Sequence, residues 1–243
     1  MKHGAWLLLA VALGAGTSVA QAEGITREQG DQILGELRAL RSAIEGLRAP
    51  AAPTPPPPRD LEVSAAGGNV LGRADAPLTL VQFTDYQCPY CARFFRNALP
   101  ALREQYIDTG KLKLVVRDLP LEFHDHAAAA AHAARCAGEQ GKFVAMHDML
   151  YSNAQQLDPA KFEDYAKAAG LDREAFGACM QSGKFTKAIA AEAQELNGLG
   201  ITGTPTFVLG REQGGKVKGK QILGAQPAKV FATEIDRLLG QGS

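Results

Sequence analysis

The sequence predicts an α/β fold in which a β-α-β half and a β-β-α half flank an all-helical insert. Three observations predict it. An apolar, β-branched run from Leu78 to Thr84 feeds Cys88-Pro89-Tyr90-Cys91, and a helical stretch from about Ala92 to Tyr106 leaves it. From about 123 to 198 the patterning is helical throughout, starting with the alanine-rich run Ala127–Ala134. Strand character then returns at Thr206–Leu209 and Lys216–Leu223, on either side of the turn-forming Gly214-Gly215.

The chain opens with an export signal. Lys2 and His3 give a short basic start, Trp6 to Gly14 an apolar core, and Ala20-Gln21-Ala22 a small-x-small cleavage pattern. Residues 1–22 therefore read as a signal peptide, with the mature chain starting at Glu23. A retained N-terminal anchor is the alternative, although the apolar run is short and interrupted by glycine. No cysteine lies near the cleavage site, which argues against a lipoprotein. The expected compartment is a bacterial periplasm, where the four cysteines allow two disulfides. With 26 basic and 26 acidic residues, the chain has no electrostatic bias toward nucleic acid or anionic membrane.

Residues 23–49 form a separate module. Thr26 to Arg48 contains no proline, and Ile33, Leu37, Leu40, Ile44 and Leu47 recur at a 4-3-4-3 spacing. This is a heptad seam, with Leu37 and Ile44 at a and Ile33, Leu40 and Leu47 at d. Glu36 and Arg41 fall where parallel helices pair charges. The linker, residues 50–60, carries Pro53, Pro55, Pro56, Pro57 and Pro58. The stretch from Pro50 to Pro58 predicts a stiff polyproline II spacer of roughly 25–30 Å. A spacer favours self-association of residues 26–48 over docking on the domain that follows it or a disordered stalk, and a lone helix of this length is marginal in water.

Residues 61–243 make one domain. A short strand or loop is expected around Leu61 to Gly72, with a turn at Gly67-Gly68-Asn69. After the Leu78–Thr84 strand and its helix, Lys111–Val116 reads as the partner strand, so this half closes as a right-handed parallel βαβ unit. The insert holds helical patterns at Phe143–Tyr151, Ala160–Ala169, Arg173–Gln181 and Lys184–Leu196. Asp158-Pro159 and Asp172 are helix-start signals. Pro227 to Leu239 closes the domain as a helix. This order is that of a thioredoxin fold carrying a helical insertion.

A Cys-x-x-Cys at a strand-to-helix junction sets its first sulfur at a helix N-terminus, where free N–H groups and the positive dipole end favour a thiolate. The alternative is half of a zinc site, with His124, His126, or His132 and Cys136 recruited, but no second close Cys pair is present. Far along the chain, Thr204-Pro205 offers an X-Pro bond, the one kind for which cis is cheap. An ordinary strand-entry proline is the other reading.

Cys88-Pro89-Tyr90-Cys91 after an apolar strand, a helical insert, then Gly203-Thr204-Pro205-Thr206-Phe207 before a hairpin resembles the DsbA family of thiol:disulfide oxidoreductases, over about residues 61–240. The resemblance implies that Pro205 is cis and lies beside the sulfurs, with Thr204 presenting its backbone to an extended substrate. No cofactor and no metal are expected. Cys88, exposed and of depressed pKa, is expected to form the mixed disulfide that a more buried Cys91 resolves. Pro89 and Tyr90 add no positive charge, where strongly oxidising relatives carry histidine at the second of these positions. A potential less oxidising than about −120 mV is expected. Many relatives place a buried acid where this chain has Gln82, which accepts no proton; Asp85 lies nearby. Cys136 and Cys179, on two helices of the insert, are expected to form a structural disulfide as similar pairs do in relatives, the alternative being a second redox relay.

Partners then follow as cysteine-containing exported client proteins and a membrane redox partner. Isomerase or reductase activity is favoured over a DsbA-type oxidase, because association of residues 26–48 would face several sites together, as in the oligomeric DsbA-like isomerases. A client-binding chaperone or metal-handling protein is the reading from another class.

Overall fold

The structure, a computed structural model, describes residues 25–46 and 59–241. The expected signal peptide (residues 1–22), Leu47 and the proline run to Pro58 lie outside the described residues. The chain divides into two units, Met1–Pro56 and Pro57–Ser243.

In the first unit, helix α1 spans Arg27–Gly46. A capping box starts it: the Gln29 N–H donates to the Thr26 hydroxyl at 3.3 Å, and the Thr26 N–H donates to the Gln29 side chain at 3.0 Å. Along the helix, Ile33, Leu37 and Leu40 are 47%, 56% and 59% exposed, so its apolar seam is open in the single chain.

The second unit is built on six strands: β1 Asp60–Ser64, β2 Asn69–Leu71, β3 Leu78–Thr84, β4 Leu112–Asp118, β5 Thr206–Gln213 and β6 Lys216–Leu223. Their order is β1-β6-β5-β3-β4-β2, with β3 and β4 parallel and the other pairs antiparallel. The Leu61–Gly72 stretch thus supplies both edges of the sheet, β1 against β6 and β2 against β4.

Every residue of β3 is buried, as a strand covered on both faces requires. Its alternation divides the core. Leu78 and Leu80 join one apolar cluster, with Phe94, Phe207 and Phe231. Val81 and Phe83 join another, with Val208, Val217 and Leu196. Gln82 and Thr84 share the parity of Leu78 and Leu80, which decides what they meet.

After β3 come α2 (Pro89–Asn97) and α3 (Leu99–Leu102), followed by a π-helical turn, Arg103–Ile107. The sequence pattern reads as one helix from about 92 to 106, but the structure breaks it at Ala98. Pro100 is the physical reason, because it has no N–H for the preceding turn and its ring crowds that turn's carbonyl.

The insert contains α4 (Ala127–Glu139), α5 (Phe143–Ser152), α6 (Phe162–Ala168), α7 (Arg173–Ser182) and α8 (Thr186–Gly198). The alanines of α4 are packing residues: Ala130, Ala133, Ala134 and Ala137 are all buried. Asp172 caps α7 through the Ala175 N–H at 2.8 Å. Asp158 accepts from the Ala160 N–H at 2.9 Å, capping a 3-10 turn, Pro159–Lys161, that leads into α6. Helix α9 (Ala228–Gly240) closes the domain.

A buried ionic cluster ties β4, α4 and α8 together. The Arg117 guanidinium donates to Glu192 at 2.5 Å and to Glu195 at 2.9 Å, while Arg135 donates to Asp118 at 2.6 Å and also pairs with Glu192. Burial pushes the Asp118 carboxyl up to about 7 against the pull of Arg135. Such a cluster contributes little net stability, but removing one partner leaves a buried charge uncompensated.

Candidate active site

Cys88 is the N-cap of α2, in extended backbone (φ −69°, ψ 122°), with Pro89 in the first turn. Proline fits there because its missing N–H would have had no helical partner and its φ is preset. Upstream, Asp85 fixes the entry. One carboxylate oxygen accepts the N–H groups of Gln87 at 2.7 Å and Cys88 at 3.1 Å. The other accepts the Leu121 N–H at 2.8 Å and lies 2.8 Å from His124 Nδ1. Asp85 therefore ties the Cys-x-x-Cys loop to the loop after β4. A second tie runs from the His126 N–H to the Gln87 side chain at 2.8 Å. The His124 ring and the His126 backbone N–H thus serve loop structure.

The bond between Thr204 and Pro205 is cis. It brings the Thr204 carbonyl to the active-site pair, where Cys88 Sγ donates to it at 3.4 Å. Cys88 and Cys91 are both free thiols, and both are buried. This differs from the exposure anticipated for Cys88, which is only 3% exposed. The cis-proline loop lying against the sulfur accounts for the difference, a long-range contact that no local pattern reports. Tyr90, by contrast, is 55% exposed, and the Arg93 guanidinium lies 4.9 Å from its ring centre. Helix α2 thus brings one cation close to the active-site loop, one turn beyond the two residues between the cysteines.

The two sulfurs are electrostatically opposite. A hydrogen bond from Cys91 is the largest influence lowering Cys88 to about 6; the Thr204 hydroxyl, as distinct from its carbonyl, and the backbone N–H groups of Cys91 and Tyr90 add to it, against burial. Burial pushes the Cys91 thiol well up, and the adjacent Cys88 raises it further. The geometry suits a nucleophile at Cys88 and a protonated thiol held in reserve at Cys91. In the reduced protein, alkylation of Cys88 by iodoacetamide is expected to rise through a midpoint near pH 6 and to level off above it, because the thiolate reacts. A midpoint near 9, that of an ordinary thiol, would contradict the assignment.

Gln82 is buried, and its Nε2 donates to Thr84 Oγ1 at 3.0 Å. Thr84 in turn shares a short hydrogen bond with the Tyr151 hydroxyl, and its side chain and the Asp85 backbone N–H both favour the Cys91 thiolate, against the burial that raises it. Neither Thr84 nor Tyr151 was singled out from the sequence. Strand parity from Gln82 points to Thr84, but nothing local signals that α5 docks Tyr151 against it.

In the insert, Cys136 of α4 and Cys179 of α7 are joined, with Cα atoms 5.8 Å apart. His132 lies close enough to form a three-atom cluster with the two sulfurs, within 4.8 Å, but both sulfurs are committed to the disulfide. The disulfide and the two free thiols thus belong to separate cysteine pairs.

A family profile described as thioredoxin matches residues 64–224. Among solved structures, alpha-DsbA1 of Wolbachia pipientis superposes with a TM-score of 0.65 at 25% identity, covering 72% of this chain and 92% of that one. A thioredoxin-like oxidoreductase from Silicibacter pomeroyi DSS-3 is 29% identical, with a TM-score of 0.58, covering 70% and 91%. Among curated proteins, a Na(+)/H(+) antiporter, NhaA 3 of Salinispora tropica, is 37% identical over 198 residues, 81% of this chain. The chain spans only 28% of that protein's length. With its fold, its helical insert and its matched family in agreement, the chain belongs to the thioredoxin family, as a DsbA-like member.

Proposed function

We propose that the protein is an exported thiol:disulfide oxidoreductase acting on protein cysteines, in which Cys88 forms the mixed disulfide and Cys91 resolves it. The observation that carries this reading is the pairing of a low-pKa sulfur at a helix N-terminus with a buried, high-pKa partner beside a cis-proline. Thr204 and Pro205 form the wall on which an extended client segment would lie. The antiporter name brings no ion-exchange role here, because the shared stretch is a minor part of that protein.

Within this class we favour isomerase or reductase activity, with a membrane partner keeping the pair reduced. The exposed seam of α1 supports it, since association of copies would cover Ile33, Leu37 and Leu40. Facing sites would raise the effective concentration of client cysteines. A DsbA-type oxidase is the second reading, and one observation favours it: a depressed Cys88 pKa stabilises the dithiol form, which makes the disulfide the better oxidant.

The comparison that separates them uses the mature chain and a version starting near Leu61. The full chain is expected to sediment as an oligomer and to refold a scrambled-disulfide client several-fold faster than the truncated form. Equal mass and equal isomerase activity in both would leave the oxidase reading.

A further inference from the structure

Three residues before Cys88, Asp85 is buried at 1% exposure. A carboxylate offers about four acceptor sites on its two oxygens, and here each oxygen takes two donors. One oxygen meets the N–H groups of Gln87 and Cys88, at 2.7 and 3.1 Å. The other meets the Leu121 N–H and His124 Nδ1, both at 2.8 Å. Because the carboxylate accepts, the His124 ring donates from Nδ1.

The two oxygens serve different segments. The first fixes Cys88 in the extended backbone of an N-cap, φ −69° and ψ 122°. In that conformation the N–H groups of Tyr90 and Cys91 favour its thiolate. The second oxygen is held by a loop that is itself anchored. The Leu119 N–H donates to the Thr84 carbonyl at 2.8 Å, and the His124 N–H donates to the Leu121 carbonyl at 2.9 Å. A carboxylate turns easily about its last bond, and the His124 ring is the side chain that stops it from turning.

An acid so close to a nucleophile ought to work against it, since one negative charge disfavours a second. We propose that Asp85 and His124 are instead a positioning pair for the nucleophile. His124 holds the carboxylate in the orientation that grips the Gln87 and Cys88 N–H groups, and so sets the reactivity of Cys88 from the loop after β4. The proposal rests on Cys88 being the nucleophile of the redox pair. Neither member touches the sulfur; both act through the backbone of the turn.

Titratable groups meet this carboxylate from several elements: His124 from the loop, Cys91 from α2 together with the capping Cys88, and Tyr151 from α5. Burial pushes Cys91 and Tyr151 well above their ordinary values, so both stay neutral where Cys88 loses its proton.

The test alkylates the reduced full-length mature protein with iodoacetamide between pH 4 and 9 and follows Cys88 by mass spectrometry. Asp85→Asn keeps an oxygen for Gln87 and Cys88 but sets an NH2 against the Leu121 N–H, donor against donor. Its midpoint is expected to rise from near 6 toward 7, so that the rate at pH 5 falls roughly tenfold. His124→Ala should move the midpoint the same way, lowering the rate at pH 5 by roughly threefold. His124→Asn, whose amide nitrogen stands in for Nδ1 without a charge, should return the parent profile. Should Asp85→Asn fail to fold, the two His124 variants decide alone.

An unchanged midpoint in folded Asp85→Asn or in His124→Ala overturns the pair. A fall in Asp85→Asn does so too, because a charge lost without loss of grip favours the thiolate. So does a rise in His124→Ala that His124→Asn fails to reverse, which would make His124 only a nearby charge. A midpoint near 9 in the parent protein would sink the nucleophile reading itself, and the pair with it.

Discussion

Replacement of Cys88 by serine is expected to lower thiol-disulfide exchange by about a thousandfold or more, because a hydroxyl at neutral pH offers no comparable nucleophile. The fold should survive the change. Serine is a preferred N-cap, and the contacts that hold this position come from the Asp85 side chain to the Cys88 backbone. Cys91→Ser should behave differently, accumulating mixed disulfides at Cys88 that cannot be resolved. Exchange with glutathione, followed by mass spectrometry on both variants, distinguishes the roles. Cys88→Ser protein retaining a tenth of the parent rate would mean that another sulfur carries the reaction.

The second large effect concerns stability. The Cys136–Cys179 disulfide closes a loop with a sequence separation of 43. Cross-linking across that length restricts the unfolded chain by about 4 kcal/mol on the loop-entropy account. The double variant Cys136→Ala/Cys179→Ala should unfold at a clearly lower urea concentration, with that loss in unfolding free energy. Its exchange rate at Cys88 should stay within about twofold of the parent once folded. A change below about 1 kcal/mol would show that α4 and α7 hold together without the bond. A folded variant that loses exchange would revive the relay alternative for this pair.

The legible parts of the fold were those written locally. The Leu78–Thr84 strand and the Lys216–Leu223 strand occupy the residues their patterns indicate. Helix starts at Asp172 and Asp158 were readable because a capping side chain and its N–H lie within three residues. Pairing at a distance was not. Nothing in Leu61–Gly72 says that its first strand joins β6 and its second joins β4 at the opposite edge. The site shows the same division. The cysteine spacing announces the chemistry, but the burial of Cys88 depends on a loop more than a hundred residues away. Tyr151 reaches Thr84 only because α5 folds back over the end of β3. In the sequence Asp85 is only a nearby acid, whereas its work in joining two loops exists only in three dimensions.

That double grip by Asp85 bears on the energetics of catalysis. A carboxylate that holds the backbone of residues 87 and 88 with one oxygen and the Leu121 backbone with the other removes slack from the turn before any client arrives. The N–H groups of Tyr90 and Cys91 then hold their orientation while the Cys88 charge comes and goes through a catalytic cycle. In water, dipoles must turn to meet a new anion, and that turning is a large part of the barrier. Here the reorganisation is completed when the chain folds, so the sulfur gains or loses its charge in surroundings that need not move.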